Sequence, residues 1–121
     1  MTLKNLSPMF YTESIDETVQ FYCNILGFEC DHNNPTLEWA SVKKDDVEIM
    51  FCLPNFHIPF EKPQFTGSIY IKSDDVDSVW ASVKDKTQTC YPLEDFDYGM
   101  REVAIFDNNG YLIQFGQSIA S

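Results

Sequence analysis

Few residues of this sequence have the types and spacing that catalysis requires. Glu48 lies within the apolar segment 47–53, where a carboxylate could act as a general base if burial raised its pKa. We favour the alternative that it hydrogen-bonds a ligand or a neighbouring side chain. No His stands in a pattern with Ser or Cys that indicates a triad, and no Gly-rich loop follows a strand to hold phosphate. The sequence therefore gives no support for acyl transfer or nucleotide chemistry.

The histidines and cysteines do not form a metal-binding pattern. His32 lies in a polar segment and His57 in a proline-rich one, and we expect both to be loop or surface residues. Zinc sites and redox motifs bring two thiols within a few residues of each other, whereas the cysteines here are scattered. They are Cys23, Cys30, Cys52 and Cys90. We expect free thiols in a reducing compartment.

The composition indicates one soluble domain in the cytoplasm. The chain has 121 residues, of which 44% are hydrophobic, enough for a core without disulfides. No segment approaches the roughly 20 apolar residues of a membrane span, and the first residues lack the apolar region of a secretory signal. The net charge of −11 opposes binding to nucleic acid or anionic lipid. It favours cationic ligands, unless it serves solubility alone.

The residues that could form a site must be positioned by two similar halves. In the first half, residues 6–11 predict a short strand. Ser14 is a plausible N-cap of a helix with apolar residues at helical spacing, and Gly27 ends it. The alternating segments 37–42 and 47–53 predict a hairpin. The first half is therefore a strand, a helix and a hairpin, over about residues 1–55.

The second half, over about residues 66–119, repeats this order after a proline-rich connection at about 54–65. A strand is predicted over 68–72, a helix over about 76–86 and a hairpin over 101–115. Sliding one half over the other places Ser7 on Ser68, Ile15 on Val76 and Glu48 on Gln114. The offset is roughly 61 to 66 residues, which indicates an internal duplication. Each half would leave one sheet face bare, and two halves would enclose a cleft.

The first helix carries the aromatic pair Phe21-Tyr22 and ends in Leu26-Gly27-Phe28. In this segment, and in the repeated element order, nearly the whole chain resembles the vicinal-oxygen-chelate superfamily. That superfamily includes glyoxalase I, extradiol dioxygenases, fosfomycin-resistance enzymes and bleomycin-resistance proteins. The resemblance implies an α+β fold of two βαβββ modules, with curved mixed sheets around a cleft.

A second segment resembles the last hairpin of bleomycin-resistance-type proteins. It runs from Tyr98 to Asp107 and is followed by Gly110. Asn108 stands where the family usually has Pro, and Tyr111 stands where it often has Asn. Both departures lie in the turn, so they bear on its detail rather than on the fold.

The resemblance also implies where a metal would bind. The enzymes of the superfamily hold a divalent ion with His and Glu side chains, because their chemistry needs a Lewis acid. The matching positions in this chain are Ser7, Glu48, Ser68 and Gln114. Only Glu48 is an ordinary ligand, so we expect no metal and no other cofactor.

Without a metal, the expected cleft still has flat apolar walls and a few polar anchors, as small-molecule sites commonly do. The residues expected to line it are Met9, Tyr11, Trp39, Glu48, Met50, Ser68, Tyr70, Tyr98, Met100, Arg101 and Gln114. Arg101 and Glu102 are adjacent in a strand and point to opposite faces. A structural ion pair is an equal alternative for Arg101.

These observations favour a bleomycin-resistance-like protein that sequesters a cationic or aromatic small molecule and performs no chemistry. The resemblance further implies a homodimer, and we expect neither nucleic acid nor membrane as a partner. The alternative is a glyoxalase-like, metal-dependent lyase or isomerase, or a dioxygenase. A third class is a structural or regulatory interaction domain.

Overall fold

The computed structural model describes residues 1–33, 38–55 and 59–119, with the backbone alone at 31–33. It divides into two compact units, Met1–Pro63 and Gln64–Ser121. Each unit has the element order βαβββ and one four-stranded mixed sheet. The predicted α+β class and the two βαβββ modules are confirmed. The organisation as a single domain and the cleft between the modules stay predictions.

The described residues of the first unit form four strands, one α-helix and one π-helical turn. They are β1 (Met9–Tyr11), α1 (Ile15–Gln20), a π-helical turn (Phe21–Ile25), β2 (Glu29–Asn33), β3 (Trp39–Lys44) and β4 (Val47–Cys52). The strand order is β1-β4-β3-β2, with β1 parallel to β4 and the other neighbours antiparallel. The short strand β1 therefore forms an edge, where the preceding Pro8 costs no ladder hydrogen bond.

The helical segment formed by α1 and the π-helical turn begins and ends where the sequence predicts, although α1 itself ends at Gln20. The Ser14 hydroxyl accepts a hydrogen bond from the Glu17 amide at 3.2 Å, which satisfies one free donor of the first turn. Gly27 has a φ of 79°, the left-handed conformation that glycine adopts without strain. Between these ends, Tyr22 is fully buried, with its ring centroid 4.9 Å from that of Phe51 on β4. This helical segment therefore packs on the face of the sheet that presents Phe51.

The second unit repeats this arrangement. Its elements are β5 (Ile69–Lys72), α2 (Val76–Val83), β6 (Gln88–Phe96), β7 (Met100–Phe106) and β8 (Leu112–Ser118). The strand order is β5-β8-β7-β6, and β5 is parallel to β8. Asp75 caps α2 by accepting a hydrogen bond from the Ser78 amide at 3.2 Å. Val76 and Val83 of the helix are buried, as are Val103 and Ile105 of β7.

The turn between β7 and β8 is held by one carboxylate. Asp107 Oδ1 accepts hydrogen bonds from the amides of Asn109 at 2.8 Å and Tyr111 at 2.9 Å. Gly110 has a φ of 90°, which the turn requires and which other residues rarely adopt. Asp107 and Gly110 thus form the turn that the sequence predicts, although Asn108 and Tyr111 depart from the family pattern.

Two strands were not predicted from the residue pattern. We expected His32 in a loop or at the surface, and the loop is wrong, because the backbone of His32 belongs to β2 and pairs with Ser41 of β3. Strand β6 was not assigned, and it contains Pro92 and two register shifts. Each of these strands is an edge of its sheet. Edge strands bury less, so their apolar alternation is weak.

The ends of other strands and helices differ by a few residues between the prediction and the structure. Strand β1 begins at Met9 rather than at residue 6, and α2 ends at Val83 rather than near residue 86. Leu37, the predicted start of β3, and His57 lie outside the described residues. Within the described ranges, neither helix has the length and apolar character of a membrane span.

Candidate functional site

The first sheet presents two chemically different faces. Along β4, Ile49 and Phe51 point to the side on which α1 packs, and both are buried. Glu48 and Met50 alternate with them and point to the other side. We call this side the first polar face and define it by Ser7, Ser41 and Glu48.

Glu48 is held by two serine hydroxyls on the first polar face. Ser7 Oγ donates to Glu48 Oε1 at 2.7 Å, and Ser41 Oγ donates to Glu48 Oε2 at 2.6 Å. Lys43 Nζ lies 3.9 Å from Oε2. The hydrogen bond from Ser41 and then that from Ser7 hold the pKa of Glu48 below its ordinary value, and they outweigh the effect of burial. Glu48 is therefore ionised and a weak base at neutral pH, which argues against general-base catalysis.

The apolar residues predicted for this half lie on the same face as Glu48. Met9 on β1 is opposite Met50 on β4, and both Tyr11 and Trp39 are opposite Cys52. Met9 is half exposed, whereas Trp39 and Met50 are partly buried. Register thus brings together the predicted site residues of the first unit. Their role in ligand binding stays a prediction.

The second unit repeats the contact between the first and last strands of its half. Ser68, just before β5, donates from Oγ to Gln114 Oε1 on β8 at 2.5 Å. This contact corresponds to that of Ser7 with Glu48, as the offset between the halves predicts. Gln114 Nε2 then donates to the Tyr91 hydroxyl at 2.8 Å. The amide therefore links the serine to a second group of polar residues.

That group surrounds the buried carboxylate of Glu102, whose side chain is 2% exposed. Tyr70 donates to Glu102 Oε2 at 2.6 Å. Tyr91 and Tyr98 donate to Glu102 Oε1 at 2.8 Å and 2.9 Å. The four residues come from β5, β6, the turn before β7, and β7 itself. We call Tyr70, Tyr91, Tyr98 and Glu102 the tyrosine cluster.

The tyrosine cluster contains a charged carboxylate and neutral phenols. Burial alone would raise the pKa of Glu102, but the hydroxyls of the three tyrosines outweigh it and hold the pKa below its ordinary value. Burial, followed by interaction with Glu102, raises the pKa of Tyr70. Burial also raises the pKa of Tyr91 to about 12. At neutral pH the cluster therefore carries fixed charge and offers neither a strong base nor a phenolate.

A glycine makes room for one of these tyrosines. Gly116 on β8 is the cross-strand partner of Glu102, and the end of the Tyr70 side chain lies over it. A Cβ atom at Gly116 would lie 2.5 Å from Tyr70 Cζ, well inside van der Waals contact. The absence of a side chain at Gly116 thus allows the Tyr70 hydroxyl to reach Glu102.

Arg101 lies on the other face of β7. Its Nε donates to Asp95 Oδ1 at 2.6 Å, and one terminal nitrogen lies 3.3 Å from Asp77 Oδ1 on α2. These carboxylates raise the pKa of Arg101. Met100, in contrast, has the strand parity of Glu102 and shares its face. The structure thus places Arg101 in ion pairs on the helix side of the sheet, apart from the tyrosine cluster.

Three polar residues that make hydrogen bonds in the first polar face or the tyrosine cluster were not identified from the sequence. Glu102 interrupts an otherwise apolar strand, and that was a usable signal. Ser41 is buried and bonds Glu48. Tyr91 lies on the unassigned strand β6, so nothing in the residue pattern indicated which way it points.

The side chains at the four family metal positions do not suit the binding of a divalent ion. Each oxygen of Glu48 already accepts a serine hydroxyl, and the Gln114 oxygen accepts one from Ser68. Serine hydroxyls and one amide are weak ligands beside a single carboxylate. Among the side chains that the structure describes, at residues 1–30, 38–55 and 59–119, no three of His, Cys, Asp or Glu are grouped to hold a metal.

Comparison with known proteins gives one family. The family model described as the Glyoxalase/Bleomycin resistance protein/Dioxygenase superfamily matches residues 6–115. No curated protein is similar enough in sequence to count as a relative.

Several solved structures share the fold at low sequence identity. A superfamily member from Sphaerobacter thermophilus has a TM-score of 0.82 at 20% identity and covers 97% of this chain and 98% of its own. TioX from Micromonospora sp. ML1 has a TM-score of 0.81 at 16% identity, with 95% and 98% covered. Lactoylglutathione lyase from Agrobacterium tumefaciens has a TM-score of 0.71 at 17% identity, with 94% and 92% covered. At these identities the likeness concerns the fold alone.

Proposed function

The chain belongs to the Glyoxalase/Bleomycin resistance protein/Dioxygenase superfamily, and from this premise we propose that it is a bleomycin-resistance-like protein that sequesters a small molecule without a catalytic metal. The observation that carries the proposal is the state of the family metal positions. They are occupied by two hydrogen-bonded pairs, Ser7 with Glu48 and Ser68 with Gln114. A protein that needed a Lewis acid would require stronger ligands there.

The charge of the molecule supports a cationic ligand. Glu48 and Glu102 both have a lowered pKa and stay ionised at neutral pH. The chain as a whole carries a net charge of −11, which attracts cations. Aromatic rings beside a fixed carboxylate suit a planar, positively charged ligand. We also propose a homodimer in the cytoplasm, with neither nucleic acid nor membrane as a partner.

The competing function is that of a metal-dependent lyase, isomerase or dioxygenase. A lactoylglutathione lyase is among the structures that share the fold, but its 17% identity carries no information about activity. Such an enzyme would have to recruit ligands other than Ser7, Ser68 and Gln114. The two functions therefore differ in a measurable quantity, the metal content of the protein.

The test is elemental analysis of protein purified without chelator, together with calorimetric titration of copper-free bleomycin. We expect no stoichiometric divalent metal and saturable binding at about one ligand per subunit. As a control, dialysis against a chelator should leave the titration unchanged. Tightly held Ni, Zn, Mn or Fe would contradict the metal-free proposal. Metal-free protein that does not bind bleomycin would contradict the bleomycin-like specificity.

A further inference from the structure

Glu102 places a negative charge in the interior of the second unit. Its side chain is 2% exposed, and the tyrosine hydroxyls keep it ionised. No ion pair among the described residues includes Glu102. A buried charge without a counter-ion is costly, and hydroxyl donors compensate it only in part. The tyrosine cluster therefore retains a charge that a bound cation would neutralise.

The tyrosine cluster reaches the surface through aromatic rings. Tyr98 is 61% exposed and Tyr70 is 39% exposed. Phe96 stacks on Tyr98 with ring centroids 5.4 Å apart and an angle of 12° between the planes. Tyr91 meets Phe96 edge to face at 5.5 Å. A cation above such rings would interact with their faces and with the carboxylate behind them.

The hydrogen bonds of Glu102 restrict the kind of cation. An ionised carboxylate offers about four acceptor positions, and three tyrosine hydroxyls already use most of them. A primary ammonium has three N–H donors. On binding it would lose its hydrogen bonds to water and would find only about one acceptor position on Glu102 in exchange. A quaternary ammonium needs no acceptor and is the type of cation that aromatic cages bind.

We propose that the tyrosine cluster is a subsite for an organic cation without N–H groups, of the quaternary ammonium class. The inference rests on the proposed function, because it names the ligand chemistry of the same binding protein. It adds a site formed by Glu102 and its tyrosines, none of which occupies a family metal position. The rings supply the contact, and the buried carboxylate supplies the charge.

Two probes that differ in methylation test the proposal. Benzyltrimethylammonium and benzylammonium share a ring and a charge, but only the second carries N–H donors. In calorimetric titrations of the whole protein at neutral pH and low salt, we expect saturable binding of benzyltrimethylammonium. Its Kd should be at least about tenfold lower than that of benzylammonium. Benzyl alcohol, which has no charge, should not saturate the protein.

Substitutions in the tyrosine cluster then test whether benzyltrimethylammonium binds there. Glu102→Gln keeps the shape but removes the charge, and Tyr98→Leu removes an exposed ring; each should weaken benzyltrimethylammonium binding by about tenfold. Tyr98→Phe keeps the ring and should weaken binding less than Tyr98→Leu. Glu61→Gln is the matched control, because Glu61 is exposed and the change removes the same charge. Tyr98 is exposed as well, so Tyr98→Leu keeps the test available if Glu102→Gln fails to fold.

Equal Kd values for the two ammonium probes would overturn the proposal. So would unchanged binding of benzyltrimethylammonium in both folded Glu102→Gln and Tyr98→Leu proteins. Failure of the proposed function would look different, since it would be seen as stoichiometric metal in the purified protein. The two failures can therefore be told apart.

Discussion

Replacing Gly116 by alanine should destabilise the protein, because the Tyr70 side chain lies over Gly116. A Cβ atom there would come within 2.5 Å of Tyr70 Cζ, whereas the backbone of Gly116 has no positive φ that would itself disfavour alanine. Tyr70 is 39% exposed, so its ring can swing outward. Gly116→Ala should therefore displace Tyr70 and break its hydrogen bond to Glu102.

The magnitude follows from two opposing contributions. A hydrogen bond to a charged group contributes about 1.5–3 kcal/mol, and the exposure of Tyr70 favours the lower end, because water can replace part of the contact. Alanine in a strand is more stable than glycine by about 0.5–1 kcal/mol. Gly116→Ala should therefore destabilise the wild-type protein by about 1 kcal/mol. In a Tyr70→Ala background, where no ring lies over Gly116, the same change should stabilise by about 0.5–1 kcal/mol.

The assay is urea unfolding of the four proteins of this cycle, followed by far-ultraviolet circular dichroism. Tyr70→Phe is a useful control, because it removes the hydroxyl and keeps the ring in place. The reversal of sign between the two backgrounds is the critical result. An equal loss of stability from Gly116→Ala in both backgrounds would refute the contact with Tyr70 as the reason for glycine.

Three further predictions concern single contacts. Ser41→Ala should raise the pKa of Glu48 toward its ordinary value, and by more than Ser7→Ala does, because the bond from Ser41 contributes most; carboxyl NMR titration measures both. The depressed pKa of Glu102 stabilises the fold above the ordinary value of 4.5, and this contribution is lost as the pH falls through the folded pKa. Melting temperatures should thus fall more steeply below that pH in wild type than in Glu102→Gln, and parallel curves would contradict this. Arg101→Ala should lower the melting temperature slightly, and the difference should shrink in about 1 M NaCl, because its ion pairs are exposed.

The sequence predicts those elements whose signals are local. Ser14 and Gly27 mark the two ends of the segment formed by α1 and the π-helical turn, through hydrogen bonding and backbone conformation that depend on a few neighbouring residues. Strand β6 has no comparable signal, because it is an edge strand that contains Pro92 and two register shifts. The π-helical turn after α1 was not predicted either, since its residues have the spacing of an ordinary helix.

The candidate site was predictable only in part, for a related reason. Sliding the halves over each other makes Ser7 equivalent to Ser68 and Glu48 equivalent to Gln114. In the structure the equivalent residues make equivalent contacts, because Ser7 donates to Glu48 and Ser68 donates to Gln114. The partners of Glu102 come from three different elements and are selected by cross-strand register. Register is a property of the folded sheet, so no spacing along the chain indicates it.

The neutral side chain at Gln114 follows physically from the charge at Glu102. Tyr91 has one proton, which it donates to Glu102, so its oxygen must accept any further bond. Gln114 donates that bond from Nε2 while its oxygen accepts from Ser68. A carboxylate at position 114 could not donate a hydrogen bond. Tyr91 could then donate its one proton to only one of two carboxylates of like charge, which would lie close together in a partly buried place. The carboxylate that the first half holds at Glu48 therefore has no counterpart at Gln114, because the second half holds its charge on the neighbouring strand.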